Sequence, residues 1–473
     1  MVTMLSFGTN FVLRTGATMV LARLLTPKDY GLIAMVSTLT NFAIMLKDMG
    51  LSMATVQKAE LNHGLVSTFF WINVAGGLAL SLLLSLLAPA LAWFYGEPRL
   101  LWIALAIAWV FLLSGLTVQH QALLNRQMRF GWLAVIDISS LLFGVTVAVL
   151  AAGYGANYWA LVFMQLGSAF GTAVGVWLVC KWRPGWPRRD PAVRSGMHFG
   201  FHVIGFNIVN YFSRNFDNIL IGRFIGAAVL GLYNRAYSLL LLPTDYIRVP
   251  LFMVAMPALS RIQTEPARYR AYCYQLTSLL ALISMPLMIF VAVCSDSMTR
   301  LLLGEKWAGA AILIQIMALT SFIQTPASIR TLVQVSLGQT GRYFRFGLLH
   351  SIFCVLSFLV GLHWGAVGIA ASYAMVNYLL LWPTLLYCFH QSPMSVGIFM
   401  KAISRPLIAS LGMGAVVALL YGSLANQADG VRTGLCFAAG ILVYFLFLIL
   451  LPGGFNILRE FYSSLSLLFQ RSR

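Results

Sequence analysis

The sequence predicts an all-α polytopic membrane protein with about fourteen transmembrane helices. Of its 473 residues, 60% are hydrophobic and only 9% are charged, and the mean hydropathy is +0.84. A water-soluble globule carries about 25% charged residues, so most of the surface of this chain cannot face water. The 13% aromatic content and the 40 glycines are also typical of helical membrane proteins. These observations exclude an ordinary soluble fold.

Fourteen apolar stretches carry this prediction, since each has close to the roughly 20 residues that cross about 30 Å of hydrocarbon. The first contains Arg14 at its middle and has no basic leader, so we predict a retained helix and not a cleaved signal peptide. The stretches are 3–24, 31–47, 64–91, 100–118, 132–152, 157–180, 198–222, 230–256, 271–294, 308–333, 345–362, 366–388, 406–424 and 433–451.

The basic residues between these stretches predict the topology. With a cytoplasmic N-terminus, the inner loops and tail hold nineteen Lys and Arg residues and the outer loops hold seven. The positive-inside rule therefore places both termini in the cytoplasm. The net charge of +18 then belongs to these loops, and we expect no nucleic-acid partner.

An internal repeat is indicated by residues that recur in the same order in both halves. At an offset of 200, Arg14 matches Arg214 and Gly31 matches Gly231. Further matches follow at offsets of 208, 216 and 210, and they pair residues 96–97 with 304–305, 129–131 with 345–347, and 155–156 with 365–366. Six helices per unit is an even number, so we predict two parallel six-helix repeats with two C-terminal helices outside them.

The repeat and the loops together predict the domain organisation. It comprises an N-lobe of helices 1–6 at 1–180, a basic cytoplasmic linker at 181–197, a C-lobe of helices 7–12 at 198–388, helices 13–14 at 389–451, and a cytoplasmic interfacial tail at 452–473.

Polar stripes on the first and seventh helices mark the candidate site. An arginine at a helix centre costs about 2.5–3.5 kcal/mol to insert, so Arg14 and Arg214 should face water, a partner or an anion. We predict that both point into a hydrated cavity between the halves. The stripes are Thr3, Ser6, Asn10, Arg14 and Thr18 in helix 1, and Asn207, Asn210, Arg214, Asp217 and Asn218 in helix 7.

Structural alternatives remain for several of these charges. Asp217 lies one turn from Arg214 and can neutralise its charge as an i,i+3 pair. The helix of Arg14 has no acid before Asp29, which lies beyond the span. Arg248 and Arg235 are weaker candidates, and Arg235 is favoured as an interfacial residue. The role of Arg330 is ambiguous. The single acids Asp137 and Asp245 suit ion pairing or helix packing as well as proton transfer.

Enzymatic chemistry finds no support in the sequence. No P-loop, HExxH, GxSxG, Rossmann or zinc-type CxxC motif occurs, and the seven histidines are scattered. No outer loop offers a carboxylate pair. We therefore predict no catalytic residue, no metal site and no cofactor.

Several separated motifs resemble one transporter family. They are LARLLTPKDYG at 21–31, the run from Asp48 through Phe70-Trp71 and Asn73, GLYNRAY at 231–237, PALS at 257–260 and GEKW at 304–307. Together they are similar to bacterial polysaccharide flippases of the multidrug/oligosaccharidyl-lipid/polysaccharide exporter superfamily, near the colanic-acid exporter branch. The likeness covers nearly the whole chain, although the family's short basic leader before helix 1 is absent.

The resemblance implies two lobes in a V around a central cavity, alternating access, and export of undecaprenyl-pyrophosphate-linked sugar repeat units. Guanidinium groups suit a pyrophosphate because they stay protonated and donate in bidentate geometry. We predict Arg14, Arg214 and Arg248 as substrate ligands, with Asn10 and Asn210 positioning them or donating to sugar. Asp217 is a candidate for H⁺ or Na⁺ coupling.

Two other functions would require different residues. A cation-coupled multidrug exporter of the same superfamily should show cavity carboxylates instead of matched arginines, and a membrane enzyme of polysaccharide assembly should show catalytic acids. Expected partners are the lipid-linked oligosaccharide, membrane lipids and the polysaccharide polymerase machinery.

Overall fold

A computed structural model of the chain describes residues 2–46, 52, 55–56, 62–187, 211, 215–452 and 454. Within these residues the protein is all-α, as predicted, and contains sixteen α-helices. The helices are α1 (Val2–Leu24), α2 (Pro27–Leu46), α3 (His63–Tyr95), α4 (Arg99–Arg126), α5 (Phe130–Gly153), α6 (Trp159–Val179), α7 (Ala227–Arg261), α8 (Pro266–Val293), α9 (Ser295–Leu303), α10 (Ala311–Ala327), α11 (Ile329–Ser336), α12 (Thr340–Gly361), α13 (Gly365–Leu379), α14 (Leu381–Phe389), α15 (Val396–Ser423) and α16 (Asp429–Leu450).

The apolar helices make this a multi-pass membrane protein. Nine helical stretches in the described part are long and apolar enough to cross a bilayer, and the bent helix α7 raises the number to ten. Helix α1 is not among them, because its polar stripe lowers its hydropathy. Most of the predicted seventh span, 198–222, lies outside the described residues. Fourteen crossings therefore stay a prediction.

Two predicted spans are broken into pairs of shorter helices. The stretch 308–333 forms α10 and α11, which separate at Ser328, two residues after Pro326. The stretch 366–388 forms α13 and α14, which separate at Leu380, with Pro383 in the first turn of α14. Proline lacks an N–H and disrupts the helical ladder before it, but the first turn of a helix tolerates it. These breaks explain part of the excess over fourteen helices.

The chain divides into two compact units, Met1–Gly231 and Leu232–Arg473. In the first unit, α3 packs against α4, α5 against α6, and α1 against α5. In the second unit, α8 packs against α10 and α15, α12 against α13, and α15 against α16. The lobe boundaries predicted from the sequence, with the linker at 181–197 between the lobes, remain a prediction.

A reciprocal glycine contact ties the start of α7 to the start of α2, inside the first unit. Gly31 lies against the backbone of Ala227, and Gly231 lies against the carbonyl oxygen of Pro27. A Cβ atom at either glycine would overlap backbone atoms that have no freedom to move aside. The two glycines are the pair that the offset of 200 predicts to be equivalent.

Left-handed residues recur at a constant spacing in the two halves. Gly155 and Gly365 have φ of +79° and +70°, and Met128 and Gly338 have φ of +56° and +69°. Both pairs are 210 residues apart, and α5 and α12 each begin two residues after the second pair. At these helix starts the structure favours a spacing of 210 over the predicted offset of 216.

The first part of the basic linker is fastened to α3. The indole Nε1 of Trp71 donates to the Gly185 carbonyl at 2.9 Å, and the Gly185 N–H donates to Ser67 Oγ at 2.9 Å. A ring nitrogen of His63 is 3.1 Å from the Arg183 carbonyl. The remainder of the linker and the predicted interfacial tail lie outside the described residues.

Candidate functional site

The polar stripe of α1 is present on the helix as the sequence predicts. Arg14 lies near the middle of Val2–Leu24 and its side chain is exposed. Asn10, one turn earlier, is half-buried and has an interaction of its own. Thr18 Oγ1 donates to the Arg14 carbonyl at 2.8 Å, a local bond that satisfies the hydroxyl without using the guanidinium. The Arg14 side chain thus lies on an exposed face at the middle of α1.

An acid on a neighbouring helix compensates part of the Arg14 charge. Helix α1 packs against α5, and the Asp137 carboxylate of α5 interacts electrostatically with the Arg14 guanidinium. The sequence of α1 does not reveal this partner, because the interaction is formed between two helices. A ligand anion at Arg14 therefore competes with Asp137.

The second described arginine of the predicted site is already part of an ion pair. Arg248 Nη2 lies 2.8 Å from Asp245 Oδ1 in α7, and the guanidinium lies 5.8 Å from the Phe252 ring centre. Both charged side chains are partly exposed, at 36% and 40% of their surface. Pairing, one of the two roles considered for Asp245, is thus observed, and the exposed part of Arg248 remains open to a ligand.

We expect Asp245→Asn to cost less than about 1 kcal/mol of stability, because a partly exposed pair in a hydrated site contributes little. If the pair faced lipid instead, the unpaired charge would cost several kcal/mol. Thermal unfolding of the purified variant beside the wild type measures the difference. A large loss of stability would place Arg248 among structural residues and remove it from the candidate site.

The remaining predicted site residues are only partly described. Arg214 and Asn210 lie outside the described residues, so their roles stay predictions. Asp217 is buried, with 7% of its surface exposed, and its Oδ1 accepts the Asn218 backbone N–H at 2.7 Å. It also has a further interaction. Among the described residues, no three His, Cys, Asp or Glu side chains cluster as metal ligands.

A polar cluster in the second unit was not predicted from the sequence. Arg330 Nη2 donates to Gln324 Oε1 at 3.0 Å, and Gln324 Nε2 donates to Asn377 Oδ1 at 2.8 Å. The cluster joins α10, α11 and α13 close to the helix breaks. The sequence offered only two glutamines in the span 308–333, one asparagine in the span 366–388, and Arg330, whose role was ambiguous.

Known proteins with similar sequences agree on one family. A family model described as "Polysaccharide biosynthesis protein" matches residues 20–312, more than half of the chain. The teichuronic acid biosynthesis protein TuaB of Bacillus subtilis is 27% identical over 87% of this chain and 86% of its own length. The lipopolysaccharide biosynthesis protein WzxC of Escherichia coli is 24% identical over 86% and 84%. The succinoglycan biosynthesis transport protein ExoT of Rhizobium meliloti is 26% identical over 88% and 83%.

Solved structures share the fold. The lipid II flippase MurJ in an inward closed conformation matches with a TM-score of 0.75 at 14% identity, covering 94% of this chain and 97% of MurJ. An inward-facing multidrug resistance transporter of the MATE family matches with a TM-score of 0.63 at 10% identity, covering 82% and 95%. The chain has the MurJ and MATE fold and belongs to the family of polysaccharide biosynthesis proteins.

Proposed function

We propose that this protein is a flippase that moves undecaprenyl-pyrophosphate-linked oligosaccharide repeat units across the bacterial inner membrane. The units would serve exopolysaccharide, capsule or O-antigen synthesis. The observation that carries the proposal is the exposed Arg14 guanidinium at the middle of an N-terminal helix, in a member of a polysaccharide biosynthesis family. The name of the relative ExoT includes transport, which supports the same class of function.

The chemistry of the substrate explains why arginines are useful here. A pyrophosphate cannot cross hydrocarbon unaided, a sugar needs a wet cavity, and a polyprenyl tail can stay in lipid. Arg14, Arg214 and Arg248 would bind the pyrophosphate, since guanidinium groups stay protonated and donate in pairs to phosphate oxygens. Asn10 and Asn210 would orient them or donate to sugar hydroxyls.

We propose a transport cycle by alternating access between two parallel six-helix repeats, with fourteen membrane crossings and both termini in the cytoplasm. The reciprocal contact of Gly31 and Gly231 supports the repeat, because equivalent residues meet in this way about a two-fold axis. The spacing of 210 between left-handed residues supports it independently. The chain would then act as a transporter and not as an enzyme.

Net export need not require a coupled ion. An anion leaving a negative interior gains about 2.3 kcal/mol per charge per 100 mV, although bound arginines cancel much of that gain. Asp217 is the residue we would assign to H⁺ or Na⁺ coupling if the cycle proves ion-dependent, since it is a buried acid. The polysaccharide polymerase machinery is the expected recipient of the exported unit.

A cation-coupled multidrug exporter is the second candidate, since the fold is also that of MATE transporters. Deleting the gene separates the two functions. We expect the deletion strain to accumulate lipid-linked repeat units at the inner leaflet and to keep its resistance to dyes. Dye sensitivity without accumulation would instead identify a drug exporter.

A further inference from the structure

Arg330 lies deep in the second unit and is surrounded by uncharged groups. The side chains that interact electrostatically with its charge are Cys388, Tyr373, Tyr343 and Cys354, on helices α12, α13 and α14. Its surface is nevertheless not fully covered. A guanidinium in such a position stays protonated and needs a compensating negative charge.

The chain supplies no carboxylate to this part of the second unit. No Asp or Glu occurs between Glu305 and Asp429, so helices α10 to α15 contain none. Helix α8, which packs against α10 and α11, contains none either. The acid of α7, Asp245, is already paired with Arg248. Among the described elements packed around Arg330, no side chain therefore balances its charge.

The side-chain amides of α10 and α13 beside Arg330 are already hydrogen-bonded. The oxygens of Gln324 and Asn377 already accept bonds, from Arg330 and from Gln324 respectively. Gln334, one turn after Arg330 in α11, is only 1% exposed, and its Nε2 has no hydrogen-bond partner. Residues four apart share a helix face, so this orphan donor and the guanidinium lie on the same side of α11. A buried donor without an acceptor is costly, and an anion beside it would supply the acceptor.

We propose that Arg330 and Gln334 form a binding site for one small monovalent anion, chloride under cellular conditions. His120 lies 210 residues before Arg330 and is therefore its counterpart in the first unit at that spacing. His120 is fully buried, and its ring centre lies 4.6 Å from that of Trp177. The first unit thus fills this place with aromatic rings, and we expect one ion per chain.

Thermal unfolding of the purified full chain in gluconate, chloride and bromide salts tests this site. We expect chloride and bromide to raise the wild-type melting temperature in a saturable way, and gluconate to have no effect. Arg330→Gln should abolish the rise, and Arg330→Lys should weaken chloride binding about tenfold. Arg345→Gln is the matched control, since it removes an exposed arginine from α12, and it should behave as the wild type.

Binding of radioactive chloride to the wild type keeps the test valid if the Arg330 variants fail to fold. We expect saturable binding of about one ion per chain, and weaker binding by Gln334→Leu, which removes a donor without changing charge. No saturable binding, an equal chloride effect in Arg330→Gln, or saturation by pyrophosphate but not by chloride would overturn the proposal. None of these measurements uses a lipid-linked sugar, so their outcome is independent of the flippase assignment.

Discussion

Arg14→Ala is expected to lower the translocation of lipid-linked oligosaccharide by about tenfold to a hundredfold. A hydrogen bond to a charged group contributes about 1.5–3 kcal/mol, and each 1.4 kcal/mol is a factor of ten. Arg14→Lys should keep part of the activity, because it preserves the charge but loses the bidentate geometry. Accumulation of lipid-linked units in cells and transport by proteoliposomes both measure the effect, once normal expression and insertion are established.

Substitution of Asp137 distinguishes two roles of Arg14: binding the substrate, or only balancing the Asp137 charge. If Arg14 binds substrate, Asp137→Asn should improve apparent affinity, because the carboxylate no longer competes. The double variant with Arg14→Ala should then stay as impaired as Arg14→Ala alone. If Arg14 only balances Asp137, the double variant should recover transport. Arg99→Ala, which removes an exposed arginine at the start of α4, is the control and should be fully active. Wild-type transport by Arg14→Ala would remove Arg14 from the site.

Gly31→Ala and Gly231→Ala should each prevent normal folding. The added Cβ would overlap backbone atoms of Ala227 or Pro27, and backbone cannot turn aside as a side chain can. Overpacking costs about 1–3 kcal/mol where side chains adjust, and here we expect about 3 kcal/mol or more. Size-exclusion profiles of the detergent-solubilised variants report the loss of folded protein.

Gly76→Ala is the matched control for these glycines, since it also lies inside a helix but has open space where the Cβ would be. It should fold as well as the wild type, with a gain of about 0.5–1 kcal/mol from helix propensity. Normal folding of both Gly31→Ala and Gly231→Ala would contradict the close crossing of α2 and α7.

The sequence predicts the helical class well because one physical constraint dominates it. A span must be apolar over a length that the bilayer fixes, so runs such as 132–152 and 433–451 reappear as α5 and α16 within a few residues. Two glycines that the predicted repeat pairs, Gly31 and Gly231, both lie at close backbone contacts where a Cβ atom would overlap.

Interactions between helices were less predictable. The stripe of α1 follows from helical periodicity, but the Asp137 partner of Arg14 depends on which face of α5 meets α1. The breaks at Ser328 and Leu380 leave only prolines as a signal, and prolines occur in continuous helices as well, as in α8 with Pro286. The role of Arg330 was ambiguous in the sequence because its surroundings come from helices on both sides of the breaks.

Transport by the purified protein tests the central claim most directly. Proteoliposomes would receive a fluorescent undecaprenyl-pyrophosphate-linked oligosaccharide, and a membrane-impermeant glycosidase would report the fraction that reaches each leaflet. We expect wild-type protein to make both leaflets exchange, and Arg14→Ala liposomes to exchange at least tenfold more slowly. If wild-type liposomes exchange the lipid-linked sugar no faster than protein-free liposomes, the protein is not a flippase for this class of substrate.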